Sequence, residues 1–187
     1  MKKLFSKFIL SLFGWKVESI LPANIKKCVV LMAPHTSNWD FFIGWLGYHS
    51  LGLRSRYLIK KEAFFFPAGH IIRAMGAIPV DRQASTNIVH QVVEMYKKTD
   101  NLFITITPEG SRSLRHNWKR GYYHIAVLAG VPLVLSYLDY KKKIGGIGMI
   151  LYPSGNYDAD FEIIKNFYQG KNAKHPEKFS LSEQNRR

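Results

Sequence analysis

One cysteine, Cys28, stands in a chain of 187 residues, which excludes an internal disulfide framework and leaves no thiolate set for a structural zinc site. Also missing are the ~20 consecutive apolar residues of a membrane-spanning helix, a Gly-x-Ser-x-Gly nucleophile elbow, an internal repeat and a long linker. Acidic residues are scarce. Against 27 Lys and Arg there are 13 Asp and Glu, a net charge of +14, and the first 61 residues hold 10 of the basic but 2 of the acidic ones. Such a surface suits nucleic acid, anionic lipid, coenzyme A or an acidic carrier protein, and charge alone does not choose among them.

What is present reads as one α/β domain over residues 20–169. Hydrophobic residues make up 47% of the chain, enough for one core. Short apolar strands alternate with helical stretches such as 86–96 and 122–129, which argues for a mixed, largely parallel sheet flanked by helices. Lys141-Lys142-Lys143 reads as a hairpin tip, and the polar composition from Gly170 onward as a frayed tail over 170–187. Cys28 falls inside the apolar strand Cys28–Ala33 and is assigned to the core. The seven histidines show no ligand spacing, so no metal is expected, and His90, His116 and His124 are read as structural or solvated.

Three strand ends carry the chemistry-bearing residues. The first is Pro34-His35-Thr36-Ser37-Asn38-Trp39-Asp40, after Cys28–Ala33. On one continuous helix His35 and Asp40 would lie roughly 140° apart. They must therefore straddle a turn, with Thr36, Ser37 or Asn38 as helix N-cap and Asp40 in the first helical turn. From there a carboxylate can reach back to the imidazole, fix its tautomer and raise its basicity. The helix-start amides are the expected oxyanion donors. The second is Thr107-Pro108-Glu109-Gly110-Ser111-Arg112-Ser113, after the strand Leu102–Ile106. The third pairs Gly76–Arg82, where Asp81-Arg82 forms a candidate ion pair, with Lys60-Lys61 after the strand Arg56–Ile59. Polar groups at the carboxyl ends of strands are where open α/β sheets collect ligands.

Taken together these segments resemble the glycerolipid acyltransferases typified by 1-acyl-glycerol-3-phosphate acyltransferase. His35 and Asp40 meet the family's His-four residues-Asp motif, the stretch Lys60 to Arg82 its basic second motif, Thr107–Ser113 its third, and Gly130-Val131-Pro132-Leu133-Val134 its fourth. The likeness spans about residues 28–138. Pro34, Thr107 and Ser136 depart from the family's pattern where it commonly has Asn, Phe and Pro, which bears on the acceptor more than on the base. The resemblance implies His35 as general base held by Asp40, and direct acyl transfer from acyl-CoA or acyl carrier protein, with no cofactor. It implies a lysophospholipid acceptor, foremost 1-acyl-glycerol-3-phosphate, with a phosphate-free lyso-aminolipid as the alternative. Glu109, Gly110, Ser111 and Arg112 are the implied head-group contacts, with Arg82, Lys61 and Lys119 supplying further positive charge for phosphate.

Residues 1–16 read as an amphipathic interface helix. A wheel gathers Leu4, Phe5, Phe8, Ile9, Leu12, Phe13 and Trp15 on one half and Lys3, Ser6, Lys7, Ser11 and Gly14 on the other, with Leu10 out of place. The expectation is a peripheral, monotopic protein on the anionic cytoplasmic face of the cell membrane. Phe64-Phe65-Phe66, beside Lys60-Lys61, reads as core or acyl contact ahead of base stacking, so nucleic acid is not an expected partner. A non-catalytic basic binding protein is the remaining alternative.

Overall fold

The computed structural model describes residues 2–81 and 85–182. Among them the chain forms one seven-stranded sheet, with α1 (Lys2–Leu12), β1 (Lys16–Ser19), β2 (Lys27–Met32), α2 (Asn38–Leu51), β3 (Ser55–Lys60), α3 (Ala68–Ala74), β4 (Ala77–Val80), α4 (Ser85–Lys98), β5 (Leu102–Ile106), α5 (Gly121–Ala129), β6 (Leu133–Asp139), β7 (Ile144–Leu151) and α6 (Tyr157–Tyr168) in chain order. Across the sheet the strands run β1-β7-β6-β2-β5-β3-β4. The β6–β7 hairpin, turned at Lys141–Lys143 as expected, is the antiparallel junction, and every other pair is parallel.

β2 is apolar at every position after Lys27, as a central strand covered on both faces must be. Its side chains alternate between two cores. Val29 and Leu31 join Val92 and Tyr96 of α4, Tyr122 and Ile125 of α5 and Ile164 of α6 on one face. Cys28, Val30 and Met32 join Leu10, Trp15, Tyr48 and Val134 on the other. Burial drives the Cys28 thiol pKa far upward, which keeps it a core residue.

The amino-terminal helix is amphipathic as expected but sits on the domain by its weaker face. α1 packs along α2 with Ser6 and Leu10 buried, while Leu4, Phe5, Phe8, Leu12 and Phe13 are exposed. Leu10, out of place on the wheel, is the docking residue. Trp15, assigned to the outer half, is instead buried edge-on to Tyr140. Lys16, expected to close the anchor, opens β1, which pairs with β7. No helix among the described residues is long and apolar enough to cross a membrane.

Two expectations are corrected. Phe65 and Phe66 are exposed, which removes the core half of their expectation and leaves the acyl-contact half. Nor do residues 170–182 fray. The Asn172 amide donates to both Asp139 carboxylate oxygens at 3.1 and 3.0 Å, its carbonyl accepts from Tyr140 N–H at 2.8 Å, and Trp118 Nε1–H donates to the Ser180 carbonyl at 3.2 Å. These anchors are one side-chain amide–carboxylate pair, main-chain groups and two rings, Trp118 and Phe179, which a polar composition conceals.

Candidate active site

The central strand delivers His35. Beyond Met32 the chain turns into α2, and Ser37 is the N-cap, with its hydroxyl accepting from Trp39 N–H at 3.2 Å. Asp40 stands at the third helical position and completes a capping box. One oxygen, Oδ2, accepts from the amides of Thr36 at 2.7 Å and Ser37 at 2.8 Å and lies 3.4 Å from His35 Nδ1. The carboxylate is thus locked by its own helix start before it meets the imidazole. Asp40 is 2% exposed, and burial alone would raise its pKa. The hydrogen bonds from His35, Tyr140 and Ser37 overcome that and hold it below the usual carboxylate range.

Those bonds also settle a point about the amides. Thr36, Ser37 and Trp39 N–H groups are engaged within the cap, so these three of the helix-start amides are not free oxyanion donors. Capping a helix start uses the same orphan donors that an oxyanion would need.

β5 lies beside β2 and brings the second cluster under the first. Glu109, 3% exposed, accepts the His35 main-chain N–H on Oε1 at 2.9 Å. Its other oxygen is buried without a hydrogen-bond partner among the described residues. Burial pushes this carboxyl up to about 8, beyond what the His35 amide can offset. Gly110 follows at φ +66°, and a Cβ there would meet Lys119 Cε at 2.9 Å, so Lys119 lies across this turn. The Ser111 hydroxyl is engaged with the Ser113 carbonyl and with Arg115. Arg112 is exposed and makes no ion pair among the described residues.

The third cluster is less convergent. Lys61 pairs with Asp81 at 2.5 Å, and Arg82, with its expected ion pair to Asp81, lies outside the described residues. No group of His, Cys, Asp and Glu that could hold a metal ion occurs among the described residues.

One residue and one segment escaped the sequence reading. Tyr140, just past β6, donates from its hydroxyl to Asp40 Oδ1 at 2.6 Å. The segment after α6 crosses the same end of the sheet, where His175 N–H donates to Thr36 Oγ1 at 3.2 Å. Lys174 Nζ lies 5.2 Å from the Trp39 ring centroid and 6.0 Å from that of Tyr140. Neither had a local signal, because each reaches the site by tertiary contact.

An open, mostly parallel α/β sheet with its polar groups gathered at the carboxyl ends of β2, β5 and β6 defines a ligand-handling α/β protein. Residues 16–139 match the acyltransferase family, and the chain belongs to that family. The resemblance drawn from the four motifs is thereby borne out. No curated protein sequence matches the chain. Among solved structures the chain is similar to the 1-acyl-sn-glycerophosphate (LPA) acyltransferase PlsC from Thermotoga maritima, at 18% identity with a TM-score of 0.62, over 90% of this chain and 77% of that one.

Proposed function

We propose that this acyltransferase moves a fatty acyl group from a thioester, acyl-CoA or acyl carrier protein, to the hydroxyl of a lysophospholipid, with 1-acyl-glycerol-3-phosphate as the first acceptor to test. The observation that carries the reading is the pairing of His35 Nδ1 with Oδ2 of a buried, multiply held Asp40 at 3.4 Å. A carboxylate at Nδ1 fixes the tautomer and leaves Nε2 to accept a proton. The acceptor hydroxyl gives its proton to Nε2 as its oxygen attacks the thioester carbonyl. The tetrahedral intermediate then expels the thiolate, which takes the proton back from the imidazolium, so the ester forms without an acyl-enzyme.

Glu109 acts in this reading by fixing the main chain at His35, since it is too deeply buried to touch a head group. Of the expected head-group contacts, Arg112 and Lys119 are the cations that follow β5, and they serve an acceptor phosphate. The outward face of α1, with Phe8 65% exposed, supports a monotopic association with an anionic leaflet.

The test is product formation by mass spectrometry, with purified protein, acyl thioesters, and both lysophosphatidic acid and phosphate-free lyso-aminolipids. A diacyl product that disappears in His35→Ala supports the reading and names the acceptor. Thioester hydrolysis alone, or no turnover across the panel, removes it. Arg112→Ala should raise the KM of a phosphate-bearing acceptor.

A further inference from the structure

We propose that the segment 172–175, beyond the family match, completes the site with a second phosphate-binding flank, in which Lys174 takes a substrate phosphate on the β6 side of His35. This rests on the acyl-transfer reading for the identity of the substrates. The placement follows from the strand order: β2, which carries His35, lies between β5 and β6. Arg112 and Lys119 come in the loop that follows β5, the strand on one side of β2. Lys61, which follows β3, does not serve the other side, since β3 lies beyond β5.

The segment fills that side and is fixed at both ends. Asn172 is tied to Asp139 and to the Tyr140 amide, and the His175 amide is tied to Thr36, the residue following His35. Ala173 between them is buried. Lys174 is thereby held beside Trp39 and Tyr140, and it makes no ion pair among the described residues. Lys174 is half-buried, its ammonium has aromatic neighbours and no carboxylate partner among the described residues, and its three donors suit phosphate oxygens. Trp39 is 57% exposed, so the flank is open to solvent.

Both substrates of the proposed reaction can carry phosphate, and two probes separate them. Glycerol 3-phosphate represents the acceptor and coenzyme A the donor, each titrated into the intact protein while tryptophan fluorescence is followed, with Trp39→Phe assigning the signal. Lys174→Gln should weaken one of them about tenfold or more, as expected for a lost charge-assisted contact, while Lys174→Arg restores part of it. In turnover the same variant should raise the KM of the phosphate-bearing substrate more than that of its dephosphorylated counterpart. If wild type binds neither probe, or Lys174→Gln binds both as tightly as wild type, the inference is overturned. Failure of the transferase reading is separate: it shows as no acyl product from any donor and acceptor pair, whatever the titrations give.

Discussion

The Tyr140 hydroxyl donates to Asp40 Oδ1 at 2.6 Å, leaving Oδ2 for His35 and the cap amides. A residue 100 positions downstream therefore holds the second oxygen of the carboxylate. Tyr140→Phe should cost about 1.5–3 kcal/mol, the range for a hydrogen bond to a charged group. Asp40 titrates below its ordinary 3.8 when folded, so its contribution to stability is full above that value and is lost as pH falls through the folded one. Removing the Tyr140 donor moves the folded value up, and acid unfolding of Tyr140→Phe should begin at higher pH than in wild type. An unchanged acid midpoint would show that the Tyr140 bond does not hold the carboxylate.

His35→Ala should lower transfer by about 10²–10⁴-fold, the usual share of a positioned base, and leave vesicle sedimentation unchanged. Asp40→Asn should lose nearly as much, because the amide can present a donor to Nδ1 and favour the wrong tautomer. Turnover retained in His35→Ala would remove that residue from the mechanism.

Glu109 supplies a pH test. Its folded value of about 8 lies above the ordinary 4.5, so its contribution to stability is full below pH 4.5 and is lost as pH rises toward 8. Glu109→Gln keeps an acceptor for the His35 amide and cannot ionise. Melting temperatures measured from pH 5 to 8 should therefore decline less steeply in the variant than in wild type. Parallel profiles would mean that the buried carboxyl is charged in the native protein.

The two faces of α1 separate anchoring from folding. Leu10, 3% exposed, sits in the core, and Leu10→Ala should cost about 2–5 kcal/mol. Phe5→Ser combined with Phe8→Ser, both at exposed positions, should leave the melting temperature nearly unchanged and weaken sedimentation with phosphatidylglycerol vesicles. Undiminished sedimentation would place the membrane contact elsewhere on the chain.

Gly110 adopts φ +66° under the Lys119 side chain. Gly110→Ala should destabilise by about 1 kcal/mol through the left-handed backbone alone. Lys119→Ala in the same background relieves the Cβ contact but not the backbone cost, so denaturant melts should recover only part of the loss.

Local sequence determined what a single strand and turn can determine. The run from Cys28 to Asp40 specifies a buried strand, an N-cap and a first-turn carboxylate because its apolar run and capping residues act over a few positions, and Ser37 and Asp40 occupy those places. The strand Leu102–Ile106, the tip at Lys141–Lys143 and the acyltransferase motifs are local in the same sense. Tertiary structure alone decided the rest. It turned the apolar half of α1 outward, because one leucine, Leu10, and a small serine fit the α2 surface. It buried Glu109 beneath His35, because β5 pairs with β2. It carried Tyr140 to Asp40 and Lys174 beside Trp39 and Tyr140, because β6 lies on the other flank of β2 and the chain after α6 returns across that edge. Periodicity reports which residues share a face. What that face meets depends on strand order and packing, and these are set by the whole chain burying its cores at once.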